Sequence, residues 1–186
     1  MSEPPTLEDR LEPRDWTGSL ADVLTQVAKH AIVRRGTPLS DESIRVLEVA
    51  LAMNLPADYR EFLGHLGSLR VDGDPEYGFG QLEVFGAGTL LNARRRFREE
   101  CNNWAGPTDW QERTSDRIYD QLRRAYREMV PVIQFSDVIH HGVDCIGPDA
   151  RMHVVDIKSW AIEPDHHRSF TAQLLDRLRA VVVRTA

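Results

Sequence analysis

The chain has 186 residues, 41% of them hydrophobic and 28% charged, with a net charge of −6 and a pI of about 5.6. That suits one globular domain, which at this length buries about 70% of its unfolded surface and needs no disulfide or metal staple. The negative balance excludes general binding to nucleic acid or anionic membrane, no apolar run approaches the roughly 18 residues of a membrane span, and Cys101 and Cys145 make no disulfide framework.

Residues 1–18 hold Pro4, Pro5 and Pro13, which prevent a continuous helix and predict an arm before a single domain over 19–186. The acidic start lacks the apolar stretch of a signal peptide, so a cytoplasmic protein with free thiols is expected. Ser19 can cap a first helix, with Leu20, Val23, Leu24, Val27, Ala31 and Ile32 at helical spacing and Gly36 and Pro38 as its stop. Ser40 opens a second helix, with Asp41 and Glu42 at its positive end and Ile44, Leu47, Ala50 and Leu51 facing inward. Pro56 suits the first turn of a third helix, whose inner face is Tyr59, Phe62, Leu63 and Leu66 and whose stop is Gly67.

The stretch VDGDPEYGFG reads as loop, and the alternation of residues 81–85 predicts a strand. Thr89 can cap a helix running LLNARRRFREE. Residues 101–115, with Trp104 and Trp110, are irregular, and Ser115 opens another helix. Strands are expected at 130–135, 143–146 and 152–157, with a turn at 147–150 and further pairing at 160–163. Ser169 caps a final helix with Phe170, Leu174, Leu175, Leu178 and Val182 inward. This order predicts an α+β fold with a mostly antiparallel sheet flanked by helices.

The segment Leu55-Pro56-Ala57-Asp58-Tyr59-Arg60-Glu61-Phe62-Leu63 resembles the opening signature of the SUKH superfamily, the Smi–Knr type. Gly78-Phe79-Gly80, Val84-Phe85-Gly86, Val130-Pro131-Val132-Ile133, residues 143–146 and 154–157, and Trp160 through Phe170 follow in that family's order. The resemblance covers about 40–183, with a longer helical insertion at about 94–128. It implies a protein-binding function. Bacterial members are commonly immunity proteins that bind a secreted polymorphic toxin, often a nuclease or deaminase, and the family offers no shared catalytic residues to carry over.

Other constellations carry less chemistry. His140, His141, Asp144, Cys145 and His153 are metal-ligating types, but their spacing matches no compact metal motif. On a strand Asp144 and Cys145 would also point to opposite faces. His166 and His167 read as solvated loop. Gly78-Phe79-Gly80 and Gly86-Ala87-Gly88 complete no phosphate-binding motif. Glu99 and Glu100 are consecutive on a helix and so diverge, a poor acid–base pair. Residues 94–127 hold nine arginines against six acids and read as a solvated basic stretch, ion-paired to the acidic body.

The functional expectation is an immunity protein that neutralises a cognate toxin, in particular a basic nuclease, by occluding its active or substrate surface. Neither catalysis nor a stoichiometric metal or cofactor is expected. The alternatives are a metal-dependent small hydrolase using His140, His141, Asp144 and His153, or a regulatory scaffold. The expected partner surface is acidic: Asp72, Asp74 and Glu76 in one loop, Asp137, Asp149 and Glu163 in the meander, with Tyr77 and Trp160 as aromatic anchors.

Overall fold

The structure, a computed structural model, describes residues 20–73, 79–103, 128–137, 141–147, 151–156, 161–162 and 169–185. Among these residues the chain runs α1 (Leu20–Val27), β1 (Ile32–Arg35), α2 (Asp41–Leu51), α3 (Ala57–Leu66), β2 (Leu69–Asp72), β3 (Phe79–Val84) and α4 (Ala87–Asn103). It continues through β4 (Val130–Asp137), β5 (His141–Ile146), β6 (Met152–Asp156) and β7 (Ala161–Ile162) to α5 (Phe170–Thr185). The strands form one antiparallel meander in sequence order, β1 to β7, and the fold is α+β. No helix among the described residues is long and apolar enough to cross a membrane.

Alternation along the strands sorts the sheet into two faces. Leu69 pairs with Val84 and Val84 with Ile133, while Val71 pairs with Leu82, and all five are buried on one face. Leu24 and Val27 of α1, Tyr59, Phe62 and Leu63 of α3, and Phe170, Leu174 and Leu178 of α5 belong to the same core. On β4 the register shifts between Pro131 and Ile133, so Val132 is an extra residue. This bulge lets a proline, which has no N–H for the ladder, sit inside a central strand.

The segment Leu55–Leu63 ties these layers together. The buried Leu55 donates its backbone N–H to Glu48 Oε1 at 2.9 Å, and Arg60 Nη1 reaches the same oxygen at 3.3 Å. Asp58 Oδ2 accepts the Thr171 N–H at 2.9 Å, which satisfies a free donor in the first turn of α5. Ser169 Oγ accepts the Ala172 N–H at 3.2 Å and caps the same helix. The Tyr59 hydroxyl donates to the Phe85 carbonyl at 2.6 Å, just where the chain leaves β3. The Phe85 N–H is bonded to the bulge residue Val132 at 2.9 Å, so both backbone groups of Phe85 have partners. Around this joint the rings of Tyr59 and Phe170 lie 4.7 Å apart and those of Phe62 and Phe170 5.2 Å apart, tilted and edge-on. Gly67 ends α3 with φ 67°, and a Cβ there would meet the Thr37 carbonyl oxygen at 1.8 Å, so no larger residue fits.

Several expectations are corrected. The first helix stops at Val27; residues 32–35, expected as its last turn, form β1, and Ile32 is exposed rather than inward. The β-branched pair Ile32-Val33 gains a ladder with β2 that a helix would forgo. Residues 69–72 form β2 and β3 begins at Phe79, so both ends of the stretch 71–80, expected as loop, are strand. Helix α4 begins at Ala87, and the Thr89 hydroxyl accepts the Gly86 N–H at 3.1 Å. Leu66 is half-buried, whereas Tyr59, Phe62 and Leu63 are buried as expected. The arm 1–18, the helix expected after Ser115, Trp104 and Trp110 lie outside the described residues.

Two predictions follow from the aromatic joint. Phe62→Ala should lower stability by about 3–5 kcal/mol, read from the shift in urea midpoint at constant slope. Burial holds the Tyr59 hydroxyl far above its ordinary 10.0. Its contribution is therefore complete below pH 10 and is lost as pH rises, because the unfolded phenol ionises while the folded one stays protonated. The loss should be about 1.4 kcal/mol per pH unit, and Tyr59→Phe should reduce that slope when unfolding is measured on either side of pH 10.

Candidate functional site

The meander gathers dispersed parts of the sequence at one end of the sheet. Ile32 pairs with Asp72, Asp72 with Gln81, Phe79 with Asp137, Ser136 with His141 and Asp156 with Ala161. Asp72, Asp137 and the strand ends bordering residues 74–78, 138–140 and 157–160 therefore share one end. Ile146 and Met152, which border residues 148–150, lie at the other end. Of the expected partner-binding residues, the structure brings Asp72 and the backbone of Asp137 to the same end. Asp74, Glu76, Tyr77, Asp149, Trp160 and Glu163 lie outside the described residues.

Asp72 carries less free charge than its sequence neighbours imply. The loop 72–76 contains no base, yet two arginines reach Asp72, Arg34 from the neighbouring β1 and Arg70 from two residues earlier on β2 itself. Arg34 Nη1 lies 3.1 Å from Asp72 Oδ2, and Arg70 Nε donates to Oδ1 at 2.8 Å. Asp72 raises the pKa of the Arg70 guanidinium, first through this hydrogen bond and then through its charge. Glu83 lies opposite Arg70 across the ladder, so around Asp72 two arginines are balanced by two carboxylates.

Asp144 behaves differently from the ligand its strand suggested. It is fully buried on the helix-covered face, opposite Ile133 and Val154. Arg177 of α5 grips it bidentately, Nε to Oδ2 at 2.9 Å and Nη2 to Oδ1 at 2.7 Å. Gln173 Nε2 adds a bond to Oδ2 at 3.1 Å. The Arg177 guanidinium also lies 3.6 Å from the centre of the Phe135 ring. His153 pairs with Cys145, one residue along, and so belongs to the opposite face. The structure therefore does not bring Asp144 and His153 together. His141 opens β5, and His140, His166 and His167 lie outside the described residues. Among the described residues no group of three or more His, Cys, Asp or Glu is arranged to hold a metal.

The Asp144–Arg177 pair was not anticipated from sequence. Its signal was a charged residue between the apolar Val143 and Cys145, matched by Gln173 and Arg177 four residues apart on α5.

Helix α4 bounds a polar cleft of about 310 Å³ against the sheet, lined by Glu83, Asn92, Arg96, Glu100 and Gln134 over Phe85, Phe97 and Val143. Glu100 lines this cleft and Glu99 does not, in keeping with their divergence on the helix, and both are exposed. Arg94, expected on a solvated basic face, turns inward and donates to the Leu51 carbonyl, one of the free acceptors at the end of α2. Partial burial and the neighbouring Arg98 lower its pKa.

These features define an α+β protein built on a seven-stranded antiparallel meander, with surface charge reorganised at one sheet end. The chain matches no protein-family model and, among curated proteins, none.

The buried pair yields a stability prediction. Arg177→Met should cost about 3–5 kcal/mol, because it leaves a buried carboxylate unpaired. The double variant Asp144→Leu/Arg177→Met should recover most of that loss, since an apolar pair carries no unpaired charge. Urea unfolding of the wild type, both single variants and the double variant gives the comparison.

Proposed function

We propose that this chain is a SUKH-type protein-binding domain acting as an immunity protein, which covers the active or substrate surface of a cognate toxin. The observation that carries the reading is the role of Leu55–Leu63. Four of its positions make joints: Leu55 to Glu48, Asp58 to the start of α5, Tyr59 to the end of β3, and Phe62 to Phe170. A motif used wholly for scaffolding leaves function to surfaces carried by the sheet, as binding requires. The metal-hydrolase alternative gains no support from Asp144, whose two oxygens are engaged by Arg177 and Gln173.

The proposed partner surface is the sheet end bearing Asp72 and Asp137, together with the acidic residues Asp74 and Glu76 in sequence between β2 and β3. A basic toxin domain would be drawn to those acids, with rim charges setting association rate and a buried anchor setting dissociation.

Binding kinetics with a candidate basic nuclease toxin domain, at two salt concentrations, tests the proposal. Charge reversal at Asp74 and Glu76 should slow association at low salt and matter little at high salt. Trp160→Ala should speed dissociation at least tenfold, as expected for an anchor worth about 1.4 kcal/mol or more. No binding by the wild-type chain, or binding indifferent to salt and to all three substitutions, would defeat it.

A further inference from the structure

Helices α1, α3 and α5 leave a groove of about 450 Å³ between them. Its walls are mainly apolar: Leu20 and Leu24 of α1, Phe62 and Leu66 of α3, and Phe170 and Leu174 of α5. Four of these side chains are buried, whereas Leu20 and Leu66 pack against the core yet stay half-buried. An apolar occupant would take the rest of both leucines out of water. The rim carries both signs of charge, Arg35 and His65 with Asp58 and Glu61, so charge selects no occupant and apolar fit does.

Leu20 is also the first of the described residues, so the chain enters the fold at the groove itself. Residues 15–19 read Asp-Trp-Thr-Gly-Ser, and Trp16 stands four residues ahead of Leu20. Four residues extend at most about 14 Å, which keeps the indole within reach of the groove. The next large aliphatic or aromatic residue upstream is Leu11, nine residues from Leu20. Gly18, between Trp16 and Leu20, lets the chain turn back over α1, because glycine adopts left-handed conformations without steric cost. A buried indole also needs an acceptor for its N–H. Asp58 is bonded to the Tyr59 and Thr171 N–H groups, whereas the Glu61 carboxylate on the same rim lies 3.9 Å from His65 and has acceptor sites to spare.

We infer that Trp16 occupies this groove in the folded chain. Its ring lies over Phe62 and Phe170 between Leu20 and Leu66, its N–H bonds to Glu61, and residues 15–19 strap α1 to α3 and α5. A partner then meets the sheet end and not this groove, and the strap stands whether or not the chain binds a toxin.

The test uses the full chain with labelled methyl groups, free indole as probe, and nuclear Overhauser contacts as the readout. The Trp16 ring, recognised by the signals missing from Trp16→Ala, should contact methyl groups of Leu24, Leu66 and Leu174. Trp16→Ala should shift those methyl resonances, leave the amide resonances of β4 and β5 in place, and lower the folding equilibrium constant at least tenfold. Indole should bind Trp16→Ala saturably and return the shifted methyls toward their wild-type positions. It should bind the wild type at least tenfold more weakly, because the groove is already filled. Leu66→Arg should release the Trp16 ring from Leu24 and Leu174; if that variant does not fold, the comparison of wild type with Trp16→Ala decides alone.

Four results would overturn the inference: no contact from the Trp16 ring to the groove, groove methyls unmoved in Trp16→Ala, indole binding equally tight with and without Trp16, or contacts seen only between labelled and unlabelled copies in a mixed sample. The last would assign the groove to Trp16 of a second copy.

Discussion

The hydrogen bond from the Tyr59 hydroxyl to the Phe85 carbonyl holds helix α3 to the point where β3 ends. One residue earlier, Asp58 anchors the first turn of α5 through Thr171. Adjacent side chains thus fix two elements distant in sequence against one helix. Phe62 and Phe170 fill the space between them, and Phe85 is bonded in turn to the bulge on β4. A buried phenol needs a partner for its proton, so loss of this bond would strand a carbonyl as well as a hydroxyl. The helical layer's position on the sheet follows from that requirement.

A second constraint acts through charge. Placing Asp144 in a buried strand position would be costly without its bidentate partner. Arg177 meets that need from α5, and its stacking on Phe135 joins the same helix to β4. The most buried carboxylate among the described residues thus seats the last helix. Arg94 does comparable work at the end of α2, where it satisfies a helix carbonyl that solvent would otherwise take. Charges that look available in the sequence are therefore partly committed to holding elements together. The surface left for recognition is correspondingly narrower: one sheet end and one polar cleft.

The contrast between the two sides of Asp72 shows why composition alone misplaces such surfaces. In sequence it begins a run of acids; in the fold it lies between two arginines from β1 and β2. Cross-strand neighbours sit about 5 Å apart, well inside the screening length, while residues a few positions along a loop can diverge. Asp72 accordingly adds little net charge to the acidic run expected over 72–76.

What the sequence determined by itself was the set of locally encoded elements. Helical spacing placed α2, α3 and α5, and Ser40, Gly67 and Ser169 marked their ends, because caps and amphipathic stripes act within a few residues. The order of helices and strands gave the α+β class, and period-two alternation separated Asp144 from Cys145, while the face of His153 came only with the β5–β6 register. Tertiary structure alone decided β1 and β2, four-residue strands whose local signal is too short and whose stability comes from each other's ladder. It also decided the partners of Asp58, Arg94 and Asp144, and the Arg34 partner of Asp72, which lie far along the chain or on a neighbouring strand. Local pattern can show that a charge needs a partner; only the packing of distant segments supplies one.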